Sequence, residues 1–92
     1  MLKLVLSQKM KRDASRMEKR GKDMSKLDVV LRLLVSCQPL SPKYRDHQLK
    51  GSLRDFRECH IEPDWLLVYQ VVKDELILLA TATGSHSDLF GN

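Results

Sequence analysis

The run Trp65-Leu66-Leu67-Val68-Tyr69-Gln70-Val71-Val72 is apolar nearly throughout, which fits a strand at the centre of a sheet, covered on both faces. Such a strand needs partners. Lys73-Asp74 predicts a tight turn, and Glu75 to Ala82 a following antiparallel strand. Residues 53–61 form a mixed, half-exposed run ending at a Glu62-Pro63-Asp64 turn, a third strand. Near the start, Leu2, Leu4 and Leu6 alternate with Lys3 and Val5, a short strand signal.

Two helical stretches lie between. Residues 8–20 place Met10, Ala14 and Met17 on one face, and Gly21 supplies a stop. Ser25 with Asp28 three residues later makes a capping-box pattern, followed by an apolar stripe of Leu27, Val30, Leu31 and Leu34. Pro39 is expected to end this helix. The two helices are expected to pair as a hairpin with the stripe against the sheet. Gln38 to Gly51 reads as a long loop, and Gly84 as the release of a short polar tail bearing His86. The whole is one α+β domain spanning residues 1–92, in the order β-α-α-β-β-β, with both helices on one sheet face.

Composition narrows the class. At 42% hydrophobic and 30% charged, the chain is expected to be globular and soluble. No apolar run approaches the roughly 18–20 residues of a membrane span, and Met1 to Leu6 is too short for a signal-peptide core. The expected location is the cytoplasm. Cys37 and Cys59 fit no CxxC or zinc pattern and read as small buried hydrophobes in a reducing compartment. Charge is uneven: residues 1–22 hold eight Lys/Arg against two acids, while the remainder holds eight against ten. A basic first helix with Lys9, Arg12, Arg16, Lys19 and Arg20 can dock on phosphates or on an acidic protein, or simply be a solvated face.

Three histidines, His47, His60 and His86, occupy turns or strand ends in the second half. Histidine exchanges protons near neutral pH. Antiparallel pairing of 65–72 with 75–82 returns residues 82–86 to the end that carries Asp64 and Trp65. His60, Asp64 and His86 then meet there, with the His47 loop folding over them and His60 able to pair with Asp64 across the turn. Such a group suits phosphodiester cleavage by an RNA's own 2′-hydroxyl, with Trp65 or Phe90 as a stacking surface. The histidine spacings of 13 and 26 residues match no local ligand motif, so no metal or other cofactor is expected.

At these residues the chain resembles the YafQ branch of the RelE toxins. The likeness rests on Asp46-His47-Gln48-Leu49-Lys50-Gly51, on Arg57-Glu58-Cys59-His60-Ile61-Glu62-Pro63-Asp64-Trp65-Leu66-Leu67-Val68-Tyr69, and on Thr83-Gly84-Ser85-His86-Ser87-Asp88-Leu89-Phe90, in that order. The resemblance implies a curved, mainly antiparallel sheet with two helices packed on it. It implies a toxin of a bacterial type II toxin–antitoxin system that cleaves mRNA in the ribosomal A site without metal. Its partners would be the ribosome with its mRNA, a cognate antitoxin and, through the antitoxin complex alone, operator DNA.

Carried over by position, His47, His60, Asp64 and His86 would be the acid–base set. His86 would protonate the leaving 5′-oxygen, and the base would be His47, His60 or Asp64. Trp65 and Phe90 would shape the site, and the basic helix would meet ribosomal RNA. One position departs from the pattern: the arginine usual before Thr-Gly-Ser-His is Ala82 here. Either Arg57 or Lys50 has taken over the phosphate, or Ala82 is an engineered, disabling substitution, the reading preferred here. The competing function is that of a ParE-like toxin, which shares the fold but binds DNA gyrase without chemistry.

Overall fold

The computed structural model describes residues 1–91. Strand β1 (Lys3–Leu6) is followed by helices α1 (Gln8–Lys19) and α2 (Met24–Val35), then strands β2 (His47–Gln48), β3 (Arg57–Glu62), β4 (Trp65–Val72) and β5 (Ile77–Gly84), and a one-turn helix α3 (His86–Phe90). The five strands form one sheet in the order β1-β5-β4-β3-β2. Only the β1–β5 pair is parallel. The α+β class and mainly antiparallel sheet match the expectation, with β4 at the centre.

Alternation sorts the β4 side chains. Trp65, Leu67 and Tyr69 join Cys59, Ile61, Leu78 and Ala80 in one core with Met10, Met17, Leu27, Val30 and Leu34 from the helices. Leu66 and Val68 are buried on the opposite face. Burial pushes the Cys59 thiol up to about 12, so it is an inert core group.

Several local expectations are corrected. The α2 cap is Asp23, whose carboxylate accepts the Ser25 N–H at 3.0 Å, not a Ser25–Asp28 box. This helix ends before Pro39 in a left-handed turn at Cys37 (φ +59°), where the N–H groups of Gln38 and Cys37 donate back to Leu33 and Leu34. Cys37 is therefore exposed rather than buried. The expected 38–51 loop contains β2, too short to register in a periodicity search. The turn after β4 runs to Leu76, held left-handed at φ +55°, and β5 accordingly starts and ends two residues later than expected. The supposed polar tail is α3, nucleated by a Ser85–Asp88 capping box.

Asp13 joins α1 to the sheet. It is 3% exposed and accepts the Thr83 N–H at 3.2 Å, where β5 runs past the end of β1. Lys9 and Arg16 neutralise it at 2.7 and 3.1 Å. Asp13→Ala strands a buried N–H and is expected to cost about 1–3 kcal/mol, read as a lower urea midpoint at unchanged slope.

Candidate active site

Residue pairing builds the site floor. His47 lies opposite Glu58, Glu58 opposite Val68, and Val68 opposite Ala82, so these four share the sheet face away from the helices. The next row is His60, Leu66 and Gly84. A bulge at Thr81, between the Val68–Ala82 and Tyr69–Ala80 pairs, keeps Ala82 on this face.

The histidines form a line across that floor. Ring centroids of His47 and His60 are 6.4 Å apart, those of His60 and His86 6.0 Å, and Phe90 lies 6.2 Å beyond His86. Each Nδ1 faces an oxygen: the Arg45 carbonyl at 2.6 Å for His47, the Pro63 carbonyl at 3.3 Å for His60, and Asp64 Oδ1 at 3.3 Å for His86. A carbonyl only accepts, so in both rings Nδ1 is the nitrogen that carries hydrogen towards it, and Nε2 is the other ring nitrogen. Both Nε2 atoms approach Glu58 Oε1, at 3.5 and 3.4 Å. The Glu58 side chain is only 7% exposed and its carboxylate lies between the two imidazoles.

Asp64 pairs with His86 rather than with His60. It accepts the His86 backbone N–H at 3.0 Å as well as facing the ring. These two contacts, the backbone bond first, hold its carboxyl below the ordinary range. Asp64 thus sets the position of His86 by chain and by ring.

The helix beneath His86 is anchored from afar. Asp88 accepts the Ser85 N–H at 2.9 Å and two bonds from Arg20, the cap that ends α1, at 2.6 and 2.9 Å. Gly84, at φ +156°, leaves room for this carboxylate: a Cβ there would stand 2.8 Å from Asp88 Cβ. The Arg20 guanidinium, then the Ser85 bonds, depress the Asp88 pKa well below normal. A depressed carboxylate stabilises the fold fully above its unfolded value of about 4 and loses that contribution as pH falls through the folded one. Melting temperature is therefore expected to fall with acidification below about pH 4, and less steeply in Arg20→Gln. Parallel pH–melting curves would remove Arg20 from this role.

The remaining sequence candidates divide. Phe90, 40% exposed, flanks His86. Trp65 does not face the site: it is fully buried, and its indole N–H donates to Thr83 Oγ1 at 2.9 Å. Arg57 lies on the helix side, its guanidinium 3.1 Å from Asp46, which also accepts the Tyr69 hydroxyl. Burial and the Asp46 carboxylate push that hydroxyl above its usual pKa. This knot pins the residue before His47, adding to the β3 pairing and to the bonds from Gln48 and Leu49 that hold two-residue β2.

Lys50 is exposed and takes no acidic partner among the described residues. On α1, Arg20 is occupied by Asp88, and Lys9 and Arg16 by Asp13. Lys11, Arg12 and Lys19 line a shallow groove with Ser15 and Arg16 and have no acidic partner among the described residues. Glu58 was not among the sequence candidates, although its place on the His60 face of a strand was readable. The missing signal was its burial.

Residues 2–91 match the family model described as the bacterial toxin of a type II toxin–antitoxin system, YafQ. The chain is 41% identical over 81 residues to the mRNA interferase toxin YafQ of Escherichia coli K12, covering 87% of this chain and 86% of that one. A metal-bound toxin from Helicobacter pylori superposes with a TM-score of 0.93 at 50% identity, over 98% of this chain and 100% of the other. The E. coli DinJ–YafQ complex gives 0.90 at 36% identity, over 99% and 100%. Among the described residues, no three His, Cys, Asp or Glu groups stand together as a metal cage.

Proposed function

Because the chain belongs to the YafQ family of bacterial type II toxin–antitoxin toxins, we propose that it is an mRNA interferase, a ribosome-dependent endoribonuclease cutting in the A site. The observation that carries this reading is the His60–His86 pair. Two imidazoles with centroids 6.0 Å apart, each oriented through Nδ1, can serve the two oxygens on either side of one phosphorus.

His60 Nε2 takes the 2′-hydroxyl proton as that oxygen attacks phosphorus, and Glu58 stabilises the resulting imidazolium. The bond from phosphorus to the 5′-oxygen breaks, and His86 Nε2 supplies that oxygen's proton. A 2′,3′-cyclic phosphate and a 5′-hydroxyl result. His60 is preferred to His47 as base because it lies between His47 and His86. Asp64 is committed to His86 and acts as its positioning group. Every proton is carried by a side chain, so no step is routed through a metal.

Ala82 leaves the floor without the cation that would hold the scissile phosphate, and neither Arg57 nor Lys50 supplies it: one lies on the helix side, the other on an exposed loop. The free cations of α1, Lys11, Arg12 and Lys19, meet ribosomal RNA, a contact that should weaken steeply with salt. The E. coli relative was crystallised with its partner DinJ. By analogy this chain has a cognate antitoxin, acidic where it wraps the toxin, and meets operator DNA through that complex. The cytoplasm is the proposed location.

The test is 5′-end mapping of mRNA on programmed ribosomes with chelator present, for this chain and for Ala82→Arg. Cuts at A-site codons support the reading. No cutting by either chain sinks it and favours a ParE-like binding toxin.

A further inference from the structure

We propose that the cleft between α2, the Pro42–Tyr44 turn and the free edge of β3 is a nucleotide subsite. It would seat the base on one side of the phosphate that is cut, an assignment resting on the ribonuclease reading.

The cleft measures about 620 Å³ and is lined in part by Val29, Lys43, Tyr44, Arg45, His60 and Pro63. That volume suits a small ligand rather than a folded partner. His60 belongs both to this lining and to the row of histidines, so the cleft adjoins the residue proposed as the base. Val29, Tyr44, Ile61 and Pro63 give it an apolar and aromatic part among otherwise polar and charged lining. Val29 is 49% exposed, an isolated apolar side chain on the outer face of α2, and Tyr44 is half-buried against the core. An aromatic ring beside an apolar floor is the usual receptor for a nucleobase.

The rim is cationic. Its acid, Glu62, is already matched by Lys22 at 2.9 Å and Lys26 at 2.8 Å. Lys43 and Arg45 have no acidic partner among the described residues, and Lys43 sits 5.1 Å over the Tyr44 ring. Two cations without an acidic partner, one of them resting over the Tyr44 ring, suit the phosphates that flank a base. Strand β2 covers only Arg57 and Glu58 of β3, so the main chain from Cys59 to Glu62 has no strand on this side. Its amide groups can read the edge of a seated base, which makes the cleft a source of sequence preference as well as affinity.

The binding probe is a trinucleotide with a 2′-deoxy sugar at the cleavage position, which has no nucleophile to react. Titrated into isotope-labelled protein, it should shift the amide resonances of Val29, Tyr44 and Ile61 in saturable fashion. Val29→Trp, which fills the slot from a solvent-facing position, should weaken binding about tenfold with the melting temperature kept. In the Ala82→Arg background the same change should raise KM about tenfold, leave kcat within about twofold, and alter the base preferred beside the cut.

Cutting with unchanged preference in Val29→Trp, and no shift at Val29 or Tyr44, overturns the subsite and leaves the ribonuclease intact. Shifts without any cutting keep the nucleotide site and overturn the ribonuclease. Saturation of these amides by an acidic peptide, with no response to the trinucleotide, assigns the cleft to a protein partner and overturns the proposal.

Discussion

In the Ala82→Arg background, His86→Ala is expected to slow cleavage of ribosome-bound mRNA by about 10²–10⁴-fold and to abolish toxicity in cells. The expectation follows from what surrounds the ring. Asp64 holds His86 through the backbone N–H and through Nδ1, leaving Nε2 as the ring nitrogen without that partner. A departing 5′-oxygen is a poor leaving group without a proton, and no other imidazole lies on the Phe90 side of His60. Asp64→Asn removes the negative charge beside Nδ1 but keeps an acceptor for the backbone N–H, so a smaller loss is expected there. Single-turnover rates on programmed ribosomes check both. A rate for His86→Ala equal to its parent's would move the proton donor elsewhere.

Ala82→Arg is expected to raise the same rate by about 10²–10³-fold, roughly 3–4 kcal/mol of charge stabilisation at phosphorus. Position 82 lies in the row His47–Glu58–Val68–Ala82, on the face that carries the histidines. An arginine there projects from the floor towards the scissile phosphate, and its planar fork suits two phosphate oxygens. Without it, the floor of the site has a buried carboxylate, Glu58, and no fixed cation. Ala82→Lys should recover less, since an ammonium offers one point charge. Equal rates for alanine and arginine would show that phosphate stabilisation comes from the ribosome or from the cations around the cleft. Antitoxin binding should be the same for both chains if the antitoxin uses the α1 groove.

Elements with a strong period were legible residue by residue. The Trp65–Val72 run fits a covered strand, and Met10 with Met17, or Leu27 with Val30 and Leu34, fits a core-facing helix stripe; these helix residues and Trp65 to Tyr69 are all buried. The joints were less legible. Cys37 and Leu76 take left-handed turns that a glycine would normally mark, so nothing in the composition announces them. Two-residue β2 exists because Asp46 is tied down by Arg57 and Tyr69, neither of them near it in sequence. The sequence reads Arg20 as one cation of a basic helix that docks on phosphates or an acidic protein, or is simply solvated. Arg20 instead clamps the helix that carries His86, sixty-eight residues further along.

Hydrophobic period and turn chemistry, both local properties, determined the class of fold, the identity of the central strand and the end of the sheet where the histidines gather. Tertiary structure decided which carboxylate serves which histidine. His60 and Asp64 are near neighbours in the chain, yet the β3–β4 turn and the capping of α3 give Asp64 to His86 and leave His60 to Glu58. It also decided that Trp65 and Arg57 face the helices, because the pleat sends alternate residues to opposite faces. Proton-transfer chemistry depends on distances of a few ångströms between side chains from different elements, and strand register, the β3–β4 turn and the capping of α3 together set those distances.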